Sequence, residues 1–215
     1  MSIEHSFDLK ERLEDKPLVI GIIGPTGAGK STFSKLLGEK LGIEVVEENF
    51  TENPYLKNFY EKPREFSYLS QEWFLNEKVK QLADLDYRKS VIIDPALEMD
   101  LIYAETLHKI NFMSDSDFEK YKRLFTFLRE EFAIRKPDLQ IVVNAKPPVL
   151  EERIKKRGRE SELIMLKKYP SYLANLYRSV ESFHGDHIYV NAGQDNFNDE
   201  IHMEGHIEKI KRNLK

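Results

Sequence analysis

The segment Gly24-Pro25-Thr26-Gly27-Ala28-Gly29-Lys30-Ser31 has the spacing G-x-x-x-x-G-K-[ST], and the chemistry of that spacing is the holding of phosphate. Glycines let backbone N–H groups turn inward around an anion, and the positive end of a following helix adds to the field. Lys30 would reach the β and γ phosphates of a nucleotide, and the Ser31 hydroxyl would ligate Mg²⁺. The candidate nucleotide-binding set is Gly24, Thr26, Gly27, Ala28, Gly29, Lys30, Ser31 and Thr32. Four of the 10 glycines, Gly21, Gly24, Gly27 and Gly29, crowd into this stretch and read together as a phosphate cradle. The alternative is a glycine-rich turn with an incidental lysine; average residue usage produces the pattern by chance in roughly one chain of this length per hundred.

Three further groups bear on phosphoryl chemistry. Asp94 closes the apolar run Val91-Ile92-Ile93, where a phosphate-loop protein places the second carboxylate that holds Mg²⁺. Asp followed by Pro is also the ordinary N-cap and N1 pair of a helix. In Glu152-Arg153-Ile154-Lys155-Lys156-Arg157-Gly158-Arg159, Arg153 and Arg157 share a helical face and Arg159 lies just past a glycine. Solvated helix faces often carry such runs, but arginines from a mobile segment also stabilise charge on a transferring phosphoryl group. Between Gly42 and Glu61 lie Glu44, Glu47, Glu48, Glu52 and Glu61 with one Lys and no Arg. A phosphorylated acceptor would be repelled there, whereas a neutral hydroxyl needs a carboxylate to accept its proton. Glu47 or Glu48 fits that need, unless these glutamates only decorate a surface loop.

The elements that position these residues alternate. Leu18 to Ile23 reads as a strand buried on both faces, followed by a helix carrying Phe33, Leu36, Leu37 and Leu41 and closed by Gly42. Ile43 to Val46 is a second strand. Pro54 to about Asp86 is helical in two pieces broken at Pro63, with Phe66, Leu69, Trp73, Val79 and Leu82 near one face. Val91 to Ile93 is a third strand, Asp94-Pro95 starts a helix to about Ile110, and Ser114 resembles the N-cap of another that Pro137 stops. Leu139 to Val143 is a fourth strand, Val149 to Arg157 and Tyr169 to Phe183 are helices, and Ile188 to Val190 is a fifth strand before a charged C-terminal helix. This order predicts an α/β fold: a five-stranded parallel sheet with helices on both faces.

Composition narrows the class. A length of 215 residues suggests one domain, and 40% hydrophobic content with 13 Phe and 10 Tyr supplies a core. The formal net charge of −4 argues against a nucleic-acid binder working by bulk electrostatics. The absence of Cys excludes disulfides, thiolate metal sites and cysteine nucleophiles, and fits the cytoplasm. No apolar signal core and no stretch approaching 18 apolar residues implies neither export nor a membrane partner. The six His show no metal-ligand spacing, and His202 and His206 are expected to face solvent.

Spread from the first strand to the fifth, these residues resemble the P-loop deoxynucleoside kinases, in particular the short bacterial deoxyadenosine/deoxyguanosine kinases. Glu48 with Asn53-Pro54 is similar to the family's E-P-V…N-P segment, with Asn49 in place of the usual Pro. The resemblance implies a homodimer built through the helices around Tyr103 and Phe125, and ATP with Mg²⁺ as phosphoryl donor, held by Ser31 and Asp94. It also implies 5′-phosphorylation of a deoxynucleoside, a purine being mildly preferred. Glu48 becomes the catalytic base, with Lys30, Arg153, Arg157 and Arg159 serving the phosphates in a lid over about 153–168. Tyr60, in Tyr60-Glu61-Lys62-Pro63, and Glu162 meet the sugar 3′-hydroxyl. Gln71 reads the base edge, Lys78 stands where an Arg is common, and Asp100 orients the base-pocket cation. The segment Asn191 to Phe197 would close over the adenine of ATP. One departure is plain: where the family has [DE]-R-S, this chain has Asp94-Pro95-Ala96, so the family arginine is missing and Arg64 or Lys78 would have to replace it. A nucleoside monophosphate kinase and a nucleotide-binding regulatory protein with decayed catalysis are the competing readings.

Overall fold

Five consecutive apolar residues with no charge between them leave a strand no face for water, and Val19–Ile23 (β1) is buried along its whole length. Ile20 and Ile22 enter one apolar cluster with Phe33 and Leu37, while Val19 and Ile23 point the other way into two clusters on the opposite face. Burying each such Ile contributes about 1.5–3 kcal/mol. The computed structural model describes residues 16–48 and 52–213.

The chain continues through α1 (Lys30–Leu41), β2 (Glu44–Glu47), α2 (Leu56–Glu61), α3 (Pro63–Ala83), β3 (Val91–Asp94), α4 (Leu97–Lys109) and α5 (Asp115–Glu131). It then runs through β4 (Leu139–Asn144), α6 (Pro147–Arg157), α7 (Glu160–Lys168), α8 (Pro170–Glu181), β5 (His187–Asn191) and α9 (Glu200–Asn213). The strands form one sheet in the order β2-β3-β1-β4-β5, and every pair is parallel. Side chains of α1, α6 and α9 cover one face, and those of α2, α3, α4 and α5 build the largest cluster on the other. The fold is the α/β architecture expected. In such sheets ligands sit beyond the carboxyl ends of the strands. Here those ends gather the glycine loop after β1, Asp94 at the end of β3, and Glu47 opposite Asp94 in register. Among the described residues no helix is long and apolar enough to cross a membrane.

Four local expectations change. The helix expected to start at Asp94-Pro95 starts at Leu97 with Ala96 at its N-cap; Asp94 is the last strand residue, and its carboxylate is engaged elsewhere. The segment 153–168, expected to be a lid, contains a helix, α7, set between the left-handed Gly158 (φ 71) and Pro170; its polar sequence, with Met165 its one buried side chain, gave no periodic signal. On α3 the inward stripe carries Ser67, Ser70, Gln71 and Lys78, so Leu69 is left exposed and the apolar face is rotated from the one expected. His206 is buried, not solvent-facing, and the His202 ring accepts a hydrogen bond from the Asn196 N–H at 3.0 Å.

Candidate active site

The glycine loop turns tightly between β1 and α1. Ala28 N–H donates to Pro25 O at 3.2 Å and the Lys30 ammonium folds back to Pro25 O at 3.1 Å. Gly29 (φ 92) is the N-cap of α1 and leaves the first helical amides unpaired by any side chain, which is the anion-receptive arrangement of a helix N-terminus. A Cβ on Gly24 would lie 2.1 Å from Val143 O, a backbone atom of the neighbouring strand. Gly24→Ala is therefore expected to destabilise by about 1–3 kcal/mol, as overpacking does, or roughly 2–12 °C in Tm at this chain length. Thermal denaturation checks it. Gly21 is not part of the cradle: its missing Cβ admits Pro137 and Ala96 at 2.8 and 2.9 Å in the sheet interior.

Behind the loop, Ser34 of α1 donates its hydroxyl to Asp94 Oδ2 at 2.9 Å, with both residues buried. Asp94 Oδ1 is buried with no hydrogen-bond partner. It lines the same cavity as Ser31 and Lys30. An orphaned carboxylate oxygen beside a hydroxyl suits a hard divalent cation. Burial pulls the Lys30 ammonium below its ordinary value, opposed by Asp94 and Glu48.

That cavity, of about 490 Å³, is of ordinary size for a small-molecule site. It joins Thr26, Gly27, Gly29, Lys30, Ser31, Thr32 and Asp94 to Glu48, Tyr60, Gln71, Asp100, Arg157, Arg159 and Glu162. Glu47 and Glu48 both line it, but their carboxylates turn to different cations. The Glu47 carboxylate turns to Lys35 at 3.2 Å on the α1 surface, whereas Glu48 Oε1 lies 3.4 Å from the ammonium of buried Lys78. Asn49 lies outside the described residues. Asn53 fixes the chain beyond it by donating to Ser70 O at 3.0 Å. Gln71 Oε1, Lys78 Nζ and Asp100 Oδ2 are all buried without hydrogen-bond partners. Burial, then the nearby Glu48 charge, pushes the Asp100 carboxyl well above the usual carboxylate range, against the pull of Lys78.

Near the cavity mouth, burial and then the Glu162 charge push the Tyr60 phenol up to about 12, so the hydroxyl keeps its proton and can donate. Glu162 receives Arg157 through the Nε–Nη2 edge of the guanidinium, at 2.6 Å from Nη2 and 3.1 Å from Nε, and Arg159 stands 3.5 Å away. Arg153 is placed differently. It lines a neighbouring cavity with Gln194, Asn196 and Phe197 and donates to Ala28 O and Ala192 O at 3.1 and 2.7 Å. Gly24 and Ala28 support the loop from outside the larger cavity, and Lys78 sits behind Glu48. Of the two cations able to replace the missing arginine, Lys78 adjoins Glu48, while Arg64 is exposed.

Sequence reasoning missed Ser34, Phe74, Tyr103 and Tyr172. Ser34 was detectable as the residue one turn beyond Ser31. The rings carry no motif signal. Tyr103 on α4 faces the cavity and meets the Thr26 hydroxyl at 3.3 Å, and Phe125 on α5 is buried in the core.

A parallel sheet with a phosphate loop after its first strand and carboxylates at the ends of the next two defines a P-loop kinase. The deoxynucleoside kinase model matches residues 20–214, and the chain belongs to the deoxynucleoside kinase family, whose members are transferases. A deoxyguanosine kinase of Bacillus subtilis is 35% identical over 167 residues, 75% of this chain and 76% of that protein. The deoxyadenosine/deoxycytidine kinase of the same organism is 28% identical over 207 residues, 94% of this chain and 95% of its own length. A solved deoxyadenosine kinase from M. mycoides with bound dCTP superposes with a TM-score of 0.78 at 27% identity, covering 91% of this chain and all of that one.

Proposed function

We propose that this protein transfers the γ-phosphoryl group of ATP to the 5′-hydroxyl of a deoxynucleoside, with a purine mildly preferred. The observation that carries the reading is one cavity that holds Lys30 and Ser31 on one side and Glu48, Tyr60 and Glu162 on the other. Lys30, Arg157 and Arg159 bind phosphate oxygens. Tyr60 donates to the sugar 3′-hydroxyl and the Glu162 carboxylate accepts from it. Glu48 takes the 5′-hydroxyl proton as the new O–P bond forms and ADP departs with the bridging oxygen. Ser31 and Asp94 would hold Mg²⁺, which offsets charge on the β and γ phosphates when bound. Gln71 and Asp100 face the base, and a neutral Asp100 carboxyl can donate to a ring nitrogen or carbonyl. The carboxylates at Glu48 and Glu162 oppose a phosphorylated acceptor, which disfavours a monophosphate kinase. The same reading takes the chain as one kinase domain whose segment 153–168 acts as a lid, forming a homodimer that works in cytoplasmic nucleoside salvage.

The test is purified protein with Mg²⁺-ATP and each of the four deoxynucleosides, their monophosphates serving as controls. Formation of a deoxynucleoside monophosphate is expected; product only from the monophosphates would sink the reading. Lys78→Met probes the replaced arginine. With its cation gone, Glu48 loses the contact that orients it, and kcat is expected to fall about tenfold, equivalent to about 1.4 kcal/mol. Lys78→Arg should recover most of it in the same assay.

A further inference from the structure

Arg153 and Arg157 are one turn apart on α6, yet they do different things. The Arg157 guanidinium goes to Glu162. The Arg153 fork spans two backbone carbonyls on separate segments, Ala28 in the glycine loop and Ala192 just after β5. Two charge-assisted bonds from one rigid planar group fix a distance as well as a direction. Beyond Ala192, the segment 192–198 is held from its other side by aromatic packing. Phe197 meets Phe33 of α1 edge-on at 5.2 Å and would lie 3.3 Å from a Cβ at Gly29. The His206 ring of α9 packs on Phe33 at 5.6 Å and reaches Asp195 at 3.2 Å. Burial pulls the His206 ring below its ordinary value, against the Asp195 charge. The space left between the segment and the glycine loop is a cavity of about 480 Å³ with amide side chains on its rim.

We infer that Arg153 is a positioning residue that locks the segment 192–198 to the phosphate loop and so sets the seat of the donor nucleotide's base, rather than a group acting on the transferring phosphoryl. The inference rests on the reading of ATP as donor. Seating the base through a brace to Ala28 places the phosphates and the base in one rigid frame, so the energy lost with the brace is ground-state donor affinity. Arg153 does not line the acceptor cavity, where Arg157 and Arg159 stand; Arg157 lines both cavities and Arg153 only the one beside the segment 192–198.

The experiment compares Arg153→Gln and Arg153→Lys with wild type by amide hydrogen exchange of residues 192–198 in the free protein and by calorimetric titration with Mg²⁺-ATP. Exchange in that segment is expected to quicken at least tenfold, and the Kd for ATP to rise about tenfold. At saturating ATP, kcat should fall by a smaller factor than affinity. Lys, with one ammonium in place of a fork, should resemble Gln. Unchanged exchange overturns the brace, and so does a fall in kcat with ATP affinity intact. If wild type bound no ATP, the donor reading would fail, while the exchange result would still decide whether Arg153 holds the segment.

Discussion

Glu48→Gln is expected to lower kcat by about 10²- to 10⁴-fold, the range that a positioned general base supplies, while leaving the Kd for Mg²⁺-ATP within about twofold. Gln keeps the size and the hydrogen-bonding reach of Glu but cannot accept the hydroxyl proton, so the loss falls on chemistry. Glu48 is the only one of the two adjacent glutamates whose carboxylate turns toward the buried Lys78; Glu47 is spent on Lys35 at the surface. Glu47→Gln should consequently keep most of the activity. Steady-state rates for both variants with the best deoxynucleoside decide the matter, and a reversed order would move the base by one residue.

Arg157→Ala is the second large effect, a fall of about 10²- to 10³-fold in kcat, as for removal of one strong donor to transition-state charge. Its thermal midpoint should stay close to that of wild type, because the Arg157 and Glu162 pair lies at the end of α6 and start of α7 and is partly exposed. On the proposed mechanism the guanidinium would be shared between Glu162 and the phosphates, so the two side chains would act as a unit. Combining Arg157→Ala with Glu162→Gln should cost less than the product of the single effects in a double-mutant cycle. Strict multiplicativity would show that the pair seen here has no bearing on turnover. The KM for the deoxynucleoside should rise with Glu162→Gln, because that carboxylate lines the cavity beside Tyr60 and is proposed to accept from the sugar 3′-hydroxyl.

The alternation of strands and helices and both halves of the cavity could be read in the sequence because they depend on short-range rules. An uncharged run between turn residues made β1, a glycine spacing made the phosphate loop, and Pro63 broke α2 from α3. Legibility failed where side-chain roles depend on the assembled sheet. Asp94-Pro95 looks like a helix start in isolation, and only the partner Ser34, 60 positions away, turns its carboxylate toward the phosphate side. Arg153 and Arg157 are equivalent by periodicity, and the carbonyls that separate them come from Ala28 and Ala192. The polar stripe on α3 hid its buried face, since Gln71 is inward for the cavity and Lys78 for the Glu48 carboxylate rather than for the apolar core. His206 looked solvent-facing because its apolar neighbour Phe33 lies far away along the chain and Phe197 reaches it only across the turn before α9.

The Ser34 to Asp94 hydrogen bond also sets a mechanical relation between two elements. Ser31 and Ser34 sit on the same helix, less than one turn apart, and Ser34 is tied to the carboxylate that ends β3. A rigid-body shift of α1 would carry the Ser31 hydroxyl and tug the Asp94 carboxylate with it. The spacing between the two oxygen ligands proposed for the cation is thereby gauged by helix geometry, at 1.5 Å of rise per residue, and is insulated from movements of the glycine loop when a nucleotide arrives or leaves.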